Sequence, residues 1–309
     1  MENSNSTYGL RIIRDNIKLY AYGGQVRIIA SGVQETGIYV APEGCEYTDG
    51  TCESSNVEGF FLKGFSVEGF PSNGIQTRWV NNFKIIDSAS VNNLNNGIYP
   101  TYSSNGIIEN CTSSGSLDSG LWVAGSLRVK VVNCSIYNSV TGLEITVSKD
   151  VYSAYNEIHD NVVGVGCYHA NMAGTTPDFP SYDNWVFENN KIFNNNQINN
   201  APAGSFQSFL PSGIGMLFVG VRGHTVNNNI IEGNQFEGIL IAGFCSVLEL
   251  AFGSNCEIEP PRDGDPSVNY NTIINNTMSQ NGGTPAPGKR NIWFITFAVY
   301  TNNIYSLLL

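Results

Sequence analysis

Short runs of alternating apolar and polar residues recur along the chain. The stretch VKVVNCSIYNSVTGLEITV, residues 129–147, shows the pattern clearly, because β-branched residues alternate there with polar ones. A period of two residues is typical of β-strands that bury one face. Asparagine and glycine, which favour turns over helices, separate the runs. The sequence therefore predicts many short strands joined by tight turns.

The runs repeat with a fixed period. The motif N-x-x-x-x-N, with Asp or Gly also admitted, occurs at Gly64/Gly69, Asp87/Asn92, Asn110/Gly115, Asn133/Asn138, Asn156/Asn161, Asn190/Asn195, Asn229/Asn234 and Asn276/Asn281. Its first members stand at positions 64, 87, 110, 133 and 156, a constant step of 23 residues. The later steps are longer, which indicates insertions within the repeat. Regular self-similarity of this length is the signature of a repeat architecture.

A second marker, a glycine followed by an aliphatic residue, runs in phase with the first. It occurs at Gly37-Ile38, Gly74-Ile75, Gly97-Ile98, Gly120-Leu121, Gly142-Leu143, Gly164-Val165, Gly213-Ile214 and Gly238-Ile239. Leucine is too sparse for leucine-rich repeats, and propeller blades are about twice as long. The pattern therefore predicts an all-β, single-stranded right-handed parallel β-helix of about nine rungs, in which each rung contains about three short strands.

We expect one β-helix domain over residues 1–309. The breaks in the repeat predict insertions near residues 41–56, 167–183, 197–211, 244–267 and 282–290.

The tract NGIYP…DSGLWVAGS…VTGLEITVSKDVYSAYNEIHDN, within residues 96–161, resembles the carbohydrate-associated parallel β-helix proteins. Pectate lyases, polygalacturonases and mannuronan C5-epimerases share that fold. The resemblance covers roughly residues 10–245. It implies a parallel β-helix and a polysaccharide substrate or ligand, most of all one that contains uronate units.

Equivalent positions of stacked rungs form columns. The column Asp87, Asn110, Asn133, Asn156, Asn190, Asn229 and Asn276 predicts a ladder of hydrogen-bonded amides at one turn. These residues are expected to be scaffold. Cys111 and Cys134 follow two members of the column and are expected to stack as small core residues.

If Ile98, Leu121 and Leu143 point inward, the residue after each points outward. That outward column contains Tyr39, Gln76, Tyr99, Trp122, Glu144, Gly166, Gly215 and Leu240, and we expect Trp293 to continue it. Two residues further on, the same face carries Arg78, Thr101, Ala124, Thr146, Tyr168 and Leu217. Aromatic rings in a row suit stacking on sugars, and arginine suits a uronate carboxylate. The alternative is that the aromatic side chains pack beneath the insertions at 167–183 and 197–211.

The candidate catalytic residues are Arg78, Tyr99, Tyr102, Glu144 and His169, and the candidate substrate-binding residues are Tyr39, Gln76, Trp122, Thr146 and Tyr168. For a lyase or epimerase, Arg78 would neutralise the carboxylate and Tyr99 or Tyr102 would relay a proton. Trp122 would form a stacking platform, and Glu144 would orient a hydroxyl group or bind a bridging cation.

The motifs of related enzymes are incomplete here. The Asn-Thr-Asp motif, the paired aspartates and the Gly-His-Gly of polygalacturonases are missing, and inverting hydrolysis needs two facing carboxyls where only Glu144 is evident. Mannuronan epimerases carry Gly-Phe-Asp-Pro-His. The corresponding GIYPT keeps Gly97 and Pro100 but has Tyr99 and Thr101 in place of the two ionisable residues. A non-catalytic structural or adhesive surface module is therefore the alternative function.

Metal sites are weakly indicated. The loop EIEPPRDGDPS offers Glu257, Glu259, Asp263 and Asp265 as calcium ligands, with a solvated acidic loop as the alternative. Cys167 and His169 have the same strand parity, but two residues make a poor metal site. No other cofactor is indicated.

The net charge of −11 argues against nucleic-acid binding, which requires basic patches. No apolar run is long enough to span a membrane. The sequence does not indicate an oligomeric state.

Seven cysteines cannot all pair within one chain, but Cys45/Cys52 and Cys245/Cys256 each flank a polar loop and could form disulfides. Those pairs indicate an oxidising compartment, with reduced loop thiols as the alternative. The N-terminal stretch shows no signal-peptide pattern. We expect a secreted, periplasmic or cell-surface protein whose leader has been removed, with a cytoplasmic protein as the alternative.

Overall fold

A computed structural model describes residues 7–24, 26–45, 52, 56–169, 183–259, 261 and 267–282. Within them, 27 strands form three parallel sheets of nine strands each. Each turn of the chain adds one strand to each sheet. This is the predicted right-handed parallel β-helix, and nine rungs match the expected number.

Sheet 1 contains β1 (Tyr8–Ile12), β4 (Thr36–Val40), β7 (Ile75–Arg78), β10 (Ile98–Thr101), β13 (Ser119–Ala124), β16 (Thr141–Thr146), β19 (Val163–Tyr168), β22 (Ile214–Val219) and β25 (Glu237–Ala242). Sheet 2 contains β2 (Ile17–Tyr20), β5 (Val57–Lys63), β8 (Val80–Ile86), β11 (Ser104–Glu109), β14 (Leu127–Val132), β17 (Val151–Ala154), β20 (Trp185–Glu188), β23 (Thr225–Asn227) and β26 (Thr272–Ile274). Sheet 3 contains β3 (Val26–Ile29), β6 (Phe65–Glu68), β9 (Ala89–Val91), β12 (Thr112–Ser114), β15 (Ser135–Tyr137), β18 (Glu157–His159), β21 (Lys191–Phe193), β24 (Ile230–Glu232) and β27 (Thr277–Ser279).

Irregular segments follow several strands of sheet 1 and sheet 3, where the repeat period breaks. The segment between β21 and β22 includes a short 3-10 helix, Phe206–Phe209. Helix α1, Phe244–Phe252, follows β25 and ends at Gly253, whose left-handed backbone closes the helix. Among the described residues, no helix is long and apolar enough to cross a membrane.

The core fills the inside of the coil. The aliphatic residues after the marker glycines, such as Ile98, Leu121 and Leu143, are fully buried in one continuous apolar cluster. The cluster also contains the free thiols Cys111 and Cys134, which stack on neighbouring rungs as expected. Consecutive rungs bury the same strand positions because parallel pairing keeps the register from one rung to the next.

The asparagine ladder is present in the later rungs. The side-chain amide of Asn156 donates to Asn190 at 2.9 Å, Asn190 to Asn229 at 3.0 Å, and Asn229 to Asn276 at 2.9 Å. Each side-chain oxygen also accepts the backbone N–H of the preceding rung. A buried turn thereby satisfies its polar groups without water. A second ladder runs through Asn161, Asn195, Asn234 and Asn281 at the turn between sheet 3 and sheet 1.

The predicted column is wrong by one residue in three earlier rungs. The backbone N–H of Cys134, not of Asn133, donates to Asn156 at 2.8 Å. Asp87, Asn110 and Asn133 instead have positive φ of 50°, 53° and 54° and form the left-handed corner of the turn. Asparagine and aspartate tolerate that backbone conformation better than most residues. The N-x-x-x-x-N spacing therefore marks two different roles that are offset by one residue.

One glycine marker is also out of register. Val165 pairs with Met216 and Gly166 pairs with Leu217, so Gly215 and not Gly213 is equivalent to the other marker glycines. The predicted outward positions of Gly215 and Leu217 are therefore each two residues early. Leu217 and Val219 occupy those positions instead, because the insertion before β22 shifts the chain by two residues.

Candidate functional site

The outward column of sheet 1 crosses the middle of the β-helix. Strand pairing aligns Tyr39 with Gln76 and Gln76 with Tyr99, and further along it aligns Trp122 with Glu144. Glu144 in turn aligns with Gly166. The predicted residues of this column from Tyr39 to Gly166 therefore lie side by side on one face, and Leu240 continues the column through Leu217, whereas Trp293 lies outside the described residues.

The aromatic residues of this face stack on each other. The rings of Tyr99 and Trp122 are 4.6 Å apart between centroids and inclined by 7°, and the Trp122 indole N–H donates to the Thr146 hydroxyl at 2.9 Å. Tyr39 stacks in the same way on Tyr8. In each stacked pair, the neighbouring ring covers one face of each aromatic side chain.

Most of the column is covered. Tyr99 is 8% exposed and Glu144 is 3% exposed, whereas Trp122 is half-buried. Burial raises the pKa of the Tyr99 phenol above its usual range, so the hydroxyl keeps its proton at neutral pH. Of the two arrangements that the sequence left open, this burial favours packing beneath other parts of the chain.

Arg78 and Tyr102 lie beside this column, at the end of the strands. The Arg78 guanidinium lies over the Tyr102 ring, 5.0 Å from its centroid, and the Trp79 ring stacks on Tyr102 with 4.6 Å between centroids. Tyr102 has a left-handed φ of 48° that turns it out of the strand. Trp79 was not predicted as a site residue, because its position in the turn, and not in a strand, directs the side chain.

A second carboxyl group lies beside Glu144. The Ser119 hydroxyl contacts both acids, donating to Glu144 Oε2 and lying 3.4 Å from Asp118 Oδ1. Glu144 Oε2 also accepts from the Gln207 side-chain amide at 2.7 Å, while Gln207 Oε1 accepts from the Thr141 hydroxyl at 2.8 Å. The sequence analysis identified only Glu144 here. Asp118 lies in the turn before β13, and its approach to Glu144 depends on that turn.

The two carboxyls titrate differently. Burial and the neighbouring Asp118 charge raise the pKa of Glu144 well above its usual range, so Glu144 is neutral at pH 7. Burial raises the pKa of Asp118 to about 6, so Asp118 is mostly ionised at the same pH. The pair therefore offers one proton donor and one proton acceptor at neutral pH.

Tyr168 and His169 lie at the end of β19, on the rung after that of Glu144, and are fully buried. Tyr168 makes an edge-on contact with Phe206 at 4.9 Å, and His169 lies against Phe244 at 4.6 Å. Burial beside Glu144 raises the pKa of Tyr168 far above its usual range. His169 lies beyond the end of β19 and Tyr168 lies next to the carboxyl pair, so the structure groups only Tyr168 with Glu144.

The structure describes two of the four candidate calcium ligands. Glu257 and Glu259 are exposed in a turn after α1, and Asp263 and Asp265 lie outside the described residues. In the described part of the chain, no three His, Cys, Asp or Glu side chains are grouped as metal ligands would be. Cys167 points into the apolar core.

The cysteine pairs of the two loops are bonded. Cys45 is joined to Cys52 and Cys245 to Cys256, which leaves Cys111, Cys134 and Cys167 as buried free thiols.

Residues 23–178 and 73–256 match the family described as "Right handed beta helix region". The chain belongs to this family. The matched segments overlap and together cover most of the chain, including the sheet 1 strands from β4 to β25. The repeat, the three parallel sheets and the family match are thus consistent with one another.

Three solved structures to which the chain is similar are named as a mannuronan epimerase, an alginate epimerase and a pectate lyase. The A-module of the mannuronan C-5 epimerase AlgE4 from Azotobacter vinelandii is similar with a TM-score of 0.53 and 13% identity, over 87% of this chain and 81% of that one. The periplasmic alginate epimerase AlgG gives 0.48 and 12%, over 89% of this chain and 79% of that one. Pectate lyase Pel9A gives 0.47 and 16%, over 94% and 72%. The first likeness supports the fold. A comparison with curated proteins finds no match.

Proposed function

We propose that the protein is a carbohydrate-active β-helix that acts on a uronate-containing polysaccharide by lyase- or epimerase-type proton transfer. The observation that carries the proposal is that Arg78, Tyr99 and Glu144 lie on one face of sheet 1 around Trp122, while Asp118 lies in the turn before β13, next to the Ser119 hydroxyl that donates to Glu144. A cation, a neutral acid and an ionised carboxylate are the groups that proton abstraction next to a carboxylate requires.

The protonation states suggest a division of roles. Asp118, ionised at neutral pH, suits the base that removes the proton from C5 of the sugar. The electron pair of the broken C–H bond moves into the sugar carboxylate, whose negative charge Arg78 stabilises. Tyr99 keeps its proton and suits the acid.

The fate of the electron pair separates the two reactions. In a lyase, the C4–O4 bond breaks, a C4–C5 double bond forms, and the acid protonates the leaving oxygen. In an epimerase, the acid returns a proton to C5 from the opposite side of the ring. Trp122, Thr146, Tyr39, Gln76 and Tyr168 flank these groups, and we propose that they contact neighbouring sugar units.

The test is incubation with alginate and with pectate. Ultraviolet absorbance would report unsaturated products and NMR would report epimerisation. Asp118→Asn should lower the rate by a factor of about 100 or more, since general acid–base catalysis contributes that much. Glu157→Gln, an exposed carboxylate on sheet 3, is the control and should leave the rate unchanged. Full activity in Asp118→Asn would rule out Asp118 as the base.

The burial of Tyr99 and Glu144 favours a second candidate, a non-catalytic structural or adhesive module. In that case the aromatic stacks are packing and not a binding surface. Trp122→Phe keeps a ring against Tyr99 and removes the indole N–H, so it should weaken glycan binding with little change in melting temperature if the face binds sugar. Absence of both reaction and binding across a panel of glycans would favour the structural module.

The two disulfides support a secreted, periplasmic or cell-surface location, because disulfides persist in oxidising compartments. Calcium binding by Glu257 and Glu259 remains a prediction. Calorimetry with calcium tests it, and the absence of heat together with an unchanged melting temperature would count against it.

A further inference from the structure

The segment 199–210, here called the plug, lies over Glu144 as a partly exposed excursion between β21 and β22. Only Gln207 and Leu210 are buried among its residues. The plug has its own internal support, because the Asn199 side chain donates to the backbone oxygens of Gln207 and Leu210, both at 2.8 Å. It therefore holds its shape as a local unit, packs Phe206 and Leu210 on the apolar cluster around Tyr168, and directs the Gln207 side chain onto Glu144.

The Gln207 carboxamide fills a polar site that sheet 1 builds. It donates to Glu144 and accepts from Thr141, and Ser119 donates to the same Glu144 oxygen. Side chains from β13 and β16 form this site, and both strands are paired on either side by neighbouring rungs. The site thus belongs to the rigid scaffold, whereas its present occupant belongs to a surface excursion.

A second observation indicates that the site has a place for a ligand. Tyr168 is fully buried, and its hydroxyl lies beside Thr141, the residue whose hydroxyl donates to Gln207. That hydroxyl lies over Gly166, the residue that pairs with Glu144, because a Cβ placed on Gly166 would be 2.3 Å from the phenol oxygen. A ligand oxygen in the place of the Gln207 carboxamide would therefore meet the hydroxyl groups of both Thr141 and Tyr168.

We propose that Gln207 is an intramolecular stand-in for a sugar, and that Ser119, Thr141, Glu144 and Tyr168 form a subsite for sugar hydroxyl groups that opens when the plug leaves. The carboxamide presents a donor and an acceptor on neighbouring atoms, as two adjacent sugar hydroxyls do. The subsite extends the column of Tyr99 and Trp122. This proposal rests on the proposed function, because it assumes that this face of sheet 1 binds carbohydrate. A sugar must then displace Gln207, and this competition lowers the apparent affinity of the protein for the sugar.

The first arm of the test needs no ligand. Hydrogen exchange at the Leu210 amide, which donates to the Gln207 backbone oxygen, reports opening of the plug. Two variants remove the contact: Gln207→Ala, and Gln207→Asn, which is shorter by one methylene group. Both should lower the protection of this amide about tenfold, because that factor corresponds to the loss of hydrogen bonds to a carboxyl group. Gln197→Ala, an exposed glutamine just before the plug, is the matched control and should leave protection unchanged. Unchanged protection in both Gln207 variants would overturn the proposal.

The second arm measures binding of an alginate hexasaccharide and of hexagalacturonate by calorimetry. Both Gln207 variants should bind one of these probes about tenfold more tightly than the unmodified protein, and Gln197→Ala should not. Equal or weaker binding in the variants would overturn the sugar subsite even if the plug opens. If the unmodified protein nevertheless acts on alginate or pectate, the proposed function stands without the plug. If neither the unmodified protein nor any variant binds or converts these probes, both the sugar subsite and the proposed function are wrong.

Discussion

At the scale of single residues, burial decides which side chains can do chemistry. Glu144 and Asp118 are both acids on one face, yet Glu144 holds its proton at neutral pH while Asp118, with a pKa of about 6, mostly does not. His224, stacked on Trp185 and buried, has its pKa lowered to about 3. These differences arise from desolvation and from neighbouring charge, neither of which a residue type reveals by itself.

Stability should fall as pH rises from 6.5 to 8 because of Glu144. In the unfolded chain Glu144 is ionised in this range, whereas in the folded protein it keeps its proton, so the folded state binds more protons. The limit is about 1.4 kcal/mol per pH unit. Asp118 also lowers stability as pH rises, but mainly between about pH 4 and 6. His224 has the opposite effect, since its contribution raises stability as pH rises toward 6.5. Neither group therefore dominates between pH 6.5 and 8.

Glu144→Gln should flatten that dependence when the free energy of unfolding is measured by denaturant titration at several pH values. Glu157→Gln on sheet 3 is the control and should keep the slope. A slope unaffected by Glu144→Gln would mean that Glu144 is ionised in the folded protein.

Gly166→Ala should destabilise the fold by about 1–3 kcal/mol, because the added methyl group would overlap the Tyr168 hydroxyl. Gly243→Ala is a suitable control, since its nearest neighbour, the Ser246 hydroxyl, is 3.7 Å from the added carbon. Thermal or chemical denaturation measures both. Equal stability of the two variants would show that Tyr168 moves aside without loss.

At the scale of strands and turns, the ladder asparagines and the corner residues have separate tasks. Asn190 is buried and forms hydrogen bonds with the rungs on both sides. Its neighbour Asn189 has a φ of 55° and forms the left-handed corner. One residue therefore satisfies buried backbone groups and the other supplies the bend, and each rung needs both.

Asn190→Leu should lower the free energy of unfolding by about 3 kcal/mol or more, because buried donors and acceptors in three rungs lose their partner. Asn189→Gly should change it by less than about 1 kcal/mol, since glycine readily adopts positive φ. The comparison uses chemical denaturation of both variants. A small effect of Asn190→Leu would indicate that water replaces the amide in the ladder.

At the scale of the whole molecule, parallel stacking gives a continuous core that runs inside all nine rungs, and the insertions add the covering of one face. The disulfides lie in these insertions and not between rungs, so the stacked strands do not depend on covalent links. A single domain over residues 1–309 remains a prediction, because the last described residue is 282.

Thiol titration should separate the two classes of cysteine. The folded protein should react slowly with a thiol reagent, because Cys111, Cys134 and Cys167 are buried. After denaturation without a reductant, three thiols should react, and after reduction all seven should. More than three reactive thiols in the unreduced, denatured protein would show that a loop disulfide is absent.

The sequence by itself determined the fold, because a residue's burial in a β-helix follows from its place in the repeat. The constant step of 23 residues and the inward positions of Ile98, Leu121 and Leu143 suffice for the rungs, their number and the face that carries Tyr99, Trp122 and Glu144. The offset between the corner residue Asn133 and the ladder residue Asn156 could not be predicted from the sequence, since asparagine suits both roles. Only the tertiary structure brought Asp118 and Gln207 to Glu144. Both lie outside the strands, where no periodic pattern fixes the direction of a side chain, and contacts between distant parts of the chain decide it.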